Sequence, residues 1–188
     1  MIKMSEKKPS IKKLKLKDAF VIEPYFFEDS RGLFHKTFTQ ELLKSAHASS
    51  FFAEEFISTN KKGVIRGMHF QKGKFAQAKL ITCLRGKIFD AIVDLRKSSP
   101  TFGKFETIEL SEKNMFTLYV PAGFAHGYLS IEDNSKVIYR ASSPHNAAEE
   151  GGIIYSDTTL KLPWPKMNYT LSEKDKKWPT FENCFKFE

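Results

Sequence analysis

The chain has 188 residues, of which 41% are hydrophobic and 28% charged, the balance of a globular protein long enough to bury a core without disulfide staples. This composition excludes disorder, collagen and coiled coil as the main state. The formal charge of +8 is unevenly placed: residues 1–17 hold seven lysines and one glutamate, so the remaining 171 residues are nearly neutral. That distribution describes a solvated basic arm on residues 1–10 rather than a nucleic-acid-binding face.

The longest uncharged stretch, Met115 to Ile131, contains Pro121, Gly123, His126 and Gly127 and is too short to span a bilayer comfortably. The N-terminus has lysines but no apolar core followed by small residues, so no secretory signal is read and a cytoplasmic location is expected. Two cysteines, Cys83 and Cys184, make no disulfide framework and no metal-ligand spacing. Cys83 lies in the apolar run Leu80 to Leu84 and reads as a small buried hydrophobe. One domain is expected.

In chain order, Ile11 to Lys17 alternates, with Leu14 and Leu16 on one face and Lys13, Lys15 and Lys17 on the other, which suits an edge strand protected by charge. Gln40 to Ala46 reads as a short helix capped by Thr39, with Leu42 and Leu43 to bury. His35 and His47 carry no signal beyond ordinary packing. From about residue 62 strand signals dominate: 63–70, 78–84, 87–95, 105–110, 116–120, 127–131, 137–141 and 152–155, separated by turn residues. In 87–95, Ile88, Asp90, Ile92 and Asp94 share one face, which therefore carries two carboxylates. After Trp164 the prolines and charges predict turns and short helices wrapping the body over 166–188, with a barrel over 11–165. The fold class expected is all-β, a barrel or jelly roll.

Polar residues inside apolar strand runs are the unusual ones, because each needs a partner when buried. They are Arg66, His69, Gln71, Lys79, His126 and Tyr139. Arg66 and His69 differ by three and face opposite ways on a flat strand, so a bulge at Gly67 is needed to bring them together. The segment Pro121-Ala122-Gly123-Phe124-Ala125-His126 has the P-x-G-x-x-H pattern of the second cupin motif. Where the first cupin motif supplies H-x-H, this chain reads His69-Phe70-Gln71, and an amide is a poor replacement for imidazole at a transition-metal site. The expectation is a cupin-type jelly roll with no metal and no cofactor.

Asp29-Ser30-Arg31-Gly32-Leu33-Phe34, Gly63 to Gln71, Gln77-Ala78-Lys79-Leu80, Val93-Asp94-Leu95-Arg96, Ser99 to Gly103, Pro121 to Gly127, Trp164-Pro165 and Ser172-Glu173-Lys174-Asp175 together resemble the dTDP-4-dehydrorhamnose 3,5-epimerase family. The resemblance runs in the same order over about residues 18 to 180. It implies a metal-independent isomerase that inverts C3, C5 or both in a nucleotide-linked 4-keto sugar, in the making of a deoxy or modified sugar for surface polysaccharide. It implies His69 as general base, Asp157 as the carboxylate that orients its ring, Tyr139 as proton donor and Lys79 as a cation for the enolate. It assigns Arg31, Arg66 and Lys174 to the nucleotide diphosphate and its surroundings, and Gln71, His126 and Glu150 to the rest of the substrate site. It further implies a homodimer that exchanges strands, with Arg31 reaching across.

The chain departs from the family pattern in four places. Lys36 stands where a glutamate is usual and Glu54-Glu55-Phe56 where Gln-Asp-Asn is common, both at positions that surround the nucleotide in the family, a second tyrosine that often follows the catalytic one is replaced near His145, and Gly151 stands where an arginine follows the glutamate. Lys36 only donates hydrogen bonds, which favours a base that presents acceptors, such as guanine or cytosine. Two alternatives stay open at this level: a single-centre epimerase or ketoisomerase acting on a GDP-, CDP- or UDP-linked sugar, and a non-catalytic cupin that binds sugar nucleotides.

Overall fold

The computed structural model describes residues 8–188. Thirteen strands run β1 (Ser10–Lys13), β2 (Phe20–Glu23), β3 (Tyr25–Asp29), β4 (Gly32–Lys36), β5 (Glu54–Asn60), β6 (Ile65–Gln71), β7 (Lys79–Arg85), β8 (Lys87–Asp94), β9 (Phe105–Ser111), β10 (Thr117–Val120), β11 (Phe124–Ser130), β12 (Ser135–Ala141) and β13 (Glu150–Gly152), with one helix, α1 (Gln40–Ser45). They form a six-stranded sheet ordered β1-β2-β10-β7-β12-β5, a five-stranded sheet ordered β13-β6-β11-β8-β9, and a separate β3–β4 hairpin. All strand pairs are antiparallel. This is the jelly-roll class expected from the cadence of short strands.

The main core lies between the two sheets, where Val21, Ile81, Leu118 and Val137 of one meet Ile88, Ile92, Leu110 and Tyr128 of the other. Two further layers cover the outer faces. The chain after Ile153 packs Leu160, Leu162, Trp164, Phe181 and Phe187 on Met68, Ala91, Val93 and Ala125 of the five-stranded sheet. Helix α1 lays Leu43 on Phe20, Ile22, Leu80 and Tyr119 of the six-stranded sheet. Because both faces of the five-stranded sheet are covered, β11 is buried at every residue and its sequence shows no alternation.

Helix α1 forms as its sequence predicts, with the Thr39 hydroxyl accepting from Leu42 N at 3.1 Å. The lysine-rich edge strand is correct as an edge but ends at Lys13, and the chain turns over residues 14–18 to bury Leu16. The basic arm assigned to residues 1–10 lies mostly outside the described residues, and Ser10 already belongs to β1. Strands also form before residue 62. Phe20–Glu23 shows no alternation because both of its faces are buried, and the β3–β4 hairpin exposes both of its faces, so neither has a half-buried pattern. Cys83 is fully buried in the main core, and burial pushes its thiol up to about 11, consistent with an inert small hydrophobe.

Candidate active site

Strand β6 supplies two site residues on either side of an irregularity. His69 pairs with His126 of β11, but Arg66 pairs with Tyr128, so three steps on one strand match two on the other. Gly67 makes this possible: its φ is +121°, and a Cβ there would sit 2.5 Å from Gly127 Cα and 2.7 Å from His126 O. The irregularity that the Arg66–His69 spacing demands is therefore present, and it turns both side chains into one cavity.

That cavity, about 540 Å³, is lined by strands of both large sheets. Arg66, His69 and Gln71 of β6, Lys79 of β7, His126 of β11, Tyr139 of β12 and Glu150 of β13 all line it, as do Phe56, Ser58 and His145. Lys174 joins them at the rim, where its ammonium donates to both Glu150 oxygens at 2.9 and 2.8 Å. Seven of the eleven site residues chosen from sequence thus share one pocket, and an eighth is bonded to it.

Asp157 is not among them. Its Oδ1 accepts from Thr159 N and Leu160 N at 3.0 and 2.7 Å, and its Oδ2 from Phe181 N at 2.7 Å. These three bonds commit the carboxylate to tying down the C-terminal wrap, so the role given to it from the resemblance is corrected. The partner of His69 is Asp175, whose Oδ1 lies 2.6 Å from His69 Nε2. Asp175 sits at the start of a 3₁₀ turn, Asp175–Lys177, with its backbone N–H donating to Ser172 Oγ at 3.1 Å. Burial works to raise its carboxyl, but bonds from His69, Trp178 and Ser172 outweigh it and hold the pKa below the ordinary carboxylate value. The sequence signal for Asp175 is Ser172-Glu173-Lys174-Asp175, the same motif that holds Lys174.

Arg31 and Lys36 are also elsewhere in this chain. Both lie on the β3–β4 hairpin, where the Arg31 side chain is 84% exposed and is forked to Asp29, and Lys36 is exposed on β4. They line a second cavity with Tyr25, Phe27, Leu33 and Phe34. No residue of the described chain brings them to His69.

The floor of the main pocket is a polar network in an apolar barrel. His126 Nε2 lies 2.9 Å from Asp90 Oδ2, and the Asp90 side chain is fully buried with Oδ1 unpartnered. Burial raises the Asp90 carboxyl, opposed by His126 and Lys79. Arg66 Nε donates to Asn60 Oδ1 at 2.7 Å, and Asn60 is held by Tyr128, Ser58 and the carbonyl of Ser135. Asn60 and Asp90 are support residues that single-residue reading of the sequence missed; only the carboxylate on the apolar face of 87–95 hinted at the second.

Three groups of the cavity have their protonation shifted by their surroundings. Burial lowers Lys79 to about 8, with Glu150 and Asp90 acting the other way, so an ammonium persists at neutral pH yet sits close to its titration. Burial, together with Tyr128 and Asp90, raises Tyr139 well above the ordinary phenol value and keeps its proton in place. Glu150 remains ionised, because Lys174, His69 and His145 outweigh its burial.

Cupin metal sites use converging histidines, but here Gln71 takes the place of the second histidine of H-x-H, and its Oε1 accepts from Asn146 N at 2.9 Å. Among the described residues no three His, Cys, Asp or Glu side chains converge as a metal site.

The family model described as dTDP-4-dehydrorhamnose 3,5-epimerase matches residues 13–183. A dTDP-4-dehydrorhamnose 3,5-epimerase of Shigella flexneri is 39% identical over 164 residues, covering 87% of this chain and 91% of that protein. The crystal structure of a dTDP-4-dehydrorhamnose 3,5-epimerase from Elizabethkingia anophelis NUHP1 superposes with a TM-score of 0.90 at 39% identity, over 94% of this chain and 98% of that one. A Legionella pneumophila enzyme, solved in complex with dTDP-4-keto-L-rhamnose, gives 0.88 at 30% identity, over 93% and 94% of the two chains. With a family model matching most of the chain, and relatives alike in sequence and in fold over nearly all of it, this protein belongs to the dTDP-4-dehydrorhamnose 3,5-epimerase family of isomerases.

Proposed function

We propose that this protein epimerises a dTDP-linked 4-keto sugar at C3 and C5 without a metal, in the cytoplasmic making of a deoxy sugar for surface polysaccharide. The observation that carries the reading is the convergence of His69, Lys79 and Tyr139 on one cavity, with Asp175 bonded behind the histidine. A carbon next to a ketone is inverted by removing its proton on one face and returning one on the other. With Nε2 held by Asp175, His69 offers Nδ1 as the base, and the carboxylate stabilises the imidazolium that forms. The Lys79 ammonium stabilises negative charge on the enolate oxygen. Tyr139, neutral at working pH, returns a proton from the far side. Arg66, steadied by Asn60, and Lys174 face the diphosphate, where guanidinium and ammonium groups suit phosphate oxygens. His126, Glu150 and Gln71 complete the sugar site.

The thymidine base is favoured because the Legionella relative was solved in complex with a dTDP-4-keto sugar. The β3–β4 hairpin supports a homodimer: Phe26, Phe27, Leu33 and Phe34 are 64%, 40%, 57% and 57% exposed on a two-stranded element that joins neither large sheet. Such an element is marginal alone and needs a surface to cover it. In a dimer it carries Arg31 to the cavity of the second copy. The nearly neutral body argues against a nucleic-acid partner, and no helix among the described residues is long and apolar enough to cross a membrane.

The test is incubation in deuterated water with 4-keto sugars linked to dTDP, GDP, CDP and UDP, following label uptake and product stereochemistry, with and without chelator. Label at both C3 and C5 of the dTDP sugar, unaffected by chelation, is expected. Label at one carbon establishes a single-centre enzyme, and no label with any donor establishes a binding protein.

A further inference from the structure

The indole of Trp178 follows the 3₁₀ turn that carries Asp175, and its Nε1 donates to Asp175 Oδ1 at 3.2 Å. This is the same oxygen that meets His69 Nε2 at 2.6 Å. The ring itself lies flat on the backbone of β13. A Cβ added at Gly152 would fall 2.4–2.6 Å from three indole carbons, so that position admits only glycine while the ring stays. Gly152 is in turn the register partner of His69. The indole also stands edge-on to the His69 imidazole, with 6.0 Å between centroids and 70° between planes. The next residue fixes the turn, since Pro179 O accepts from Ile154 N at 2.9 Å.

We propose that Trp178 is a positioning residue for the His69–Asp175 pair, its N–H holding the carboxylate oxygen that His69 uses and its ring limiting the tilt of the imidazole. The inference rests on the reading of His69 as the base. The chain contains an instructive contrast in its other tryptophan: Trp164 Nε1 donates to a backbone carbonyl, Tyr155 O, at 2.9 Å, a bond that only satisfies a half-buried indole. Trp178 instead directs its N–H at a charged oxygen, where a hydrogen bond changes the balance between protonation states. Its donation is among the bonds that keep the Asp175 carboxyl low. Without it the negative charge on Asp175 is less compensated, so the pair takes up a proton at higher pH. The other ionisable groups around the pair are Lys174 on the same turn, its ammonium 5.9 Å from the centroid of the Trp178 ring, Glu150 on β13 with His145 beside it, Arg66 on β6, His126 on β11, and Lys79 and Tyr139 across the cavity. All of them stay in place when only the indole N–H is changed.

The experiment compares three forms of the full chain with the wild type: Trp178→Phe, the protein with β-(3-benzothienyl)alanine at position 178, which keeps the bicyclic shape and lacks only the N–H, and Trp164→Phe. The readouts are the pH dependence of kcat/KM for deuterium uptake and, independently of turnover, an NMR titration of the His69 ring. Both position-178 forms are expected to move the acid limb and the titration midpoint upward by roughly half to one pH unit, the order set by one charge-assisted hydrogen bond. Trp164→Phe is expected to move neither. In an Asp175→Asn background, the 178 changes should add no further shift. A midpoint that stays at the wild-type value in the benzothienyl form overturns the inference, as does an equal shift in Trp164→Phe. The NMR midpoint reads this outcome even where no sugar is turned over, so failure of the proposed reaction and failure of the Trp178 role are separate results.

Discussion

The rings of Phe56 and Tyr139 stack with centroids 4.7 Å apart and planes 15° from parallel, on directly paired positions of β5 and β12. Phe56 thus covers one face of the proposed proton donor with an apolar ring. Tyr139→Phe keeps that stack and removes only the hydroxyl. Inversion is expected to fall by about 10²–10⁴-fold while deuterium still enters the substrate, since removal of the first proton precedes the donor's step. His69→Ala is expected to abolish both. Full epimerisation by the His69 variant, read from product stereochemistry, would remove His69 from the base role.

Lys79 gives a pH dependence with a definite sign. Burial lowers its pKa to about 8, so the cation proposed to stabilise the enolate is present below that value and is lost as pH rises through it. The kcat profile is expected to decline on the alkaline side near pH 8. Lys79→Met should lower kcat by about 10²-fold or more and remove that limb. Retention of the limb in Lys79→Met would assign it to another group.

Asp94 predicts acid lability at a distance from the site. Its carboxylate accepts from Arg96 N, Nε and Nη2 and from the hydroxyls of Ser99 and Thr101. Burial opposes ionisation, but these bonds outweigh it and the folded pKa lies below 3.8. A depressed folded value gives stability that is present above the unfolded pKa and lost as pH falls through the folded one. Asp94→Asn should cost about 2–3 kcal/mol in urea unfolding at pH 7 and progressively less below pH 4. A pH-independent difference would contradict this assignment.

Gly67→Ala places a methyl 2.5 Å from Gly127 Cα at a φ of +121°. The backbone of β6 must shift or the strand must leave its register, at a cost of about 2–4 kcal/mol. A lower Tm accompanied by loss of deuterium uptake is expected, because His69 and Arg66 are aimed from either side of this residue. An unchanged Tm would mean that β11 yields to the methyl.

The exposed hairpin predicts an oligomer. Sedimentation of the wild-type chain should show a dimer, and Phe27→Ser with Leu33→Ser should shift it towards monomer and reduce activity with a nucleotide-linked substrate. A wild-type monomer at micromolar concentration would leave Arg31 and Lys36 without a substrate to meet.

What was legible from sequence follows from local chemistry. Thr39 ahead of an apolar pair, turn residues between short β-branched runs, and polar residues out of place in apolar strands are written in neighbouring positions, and they located α1, most strands after residue 62 and the pocket around His69, Lys79, His126 and Tyr139. The spacing of Arg66 and His69 even required the irregularity found at Gly67. What tertiary structure decided is the pairing of groups far apart in the chain. Asp157 and Asp175 are both acidic residues in the same C-terminal wrap, and no local rule separates them; one is taken by three backbone N–H groups, the other comes within 2.6 Å of a histidine 106 residues earlier. Burial on both sheet faces erased the alternation of β2 and β11, and the hairpin that carries Arg31 and Lys36 projects away from the chain's own cavity. Residue type and spacing fix which chemistry is available, whereas the partner of each charge is set by which surfaces the two sheets must cover.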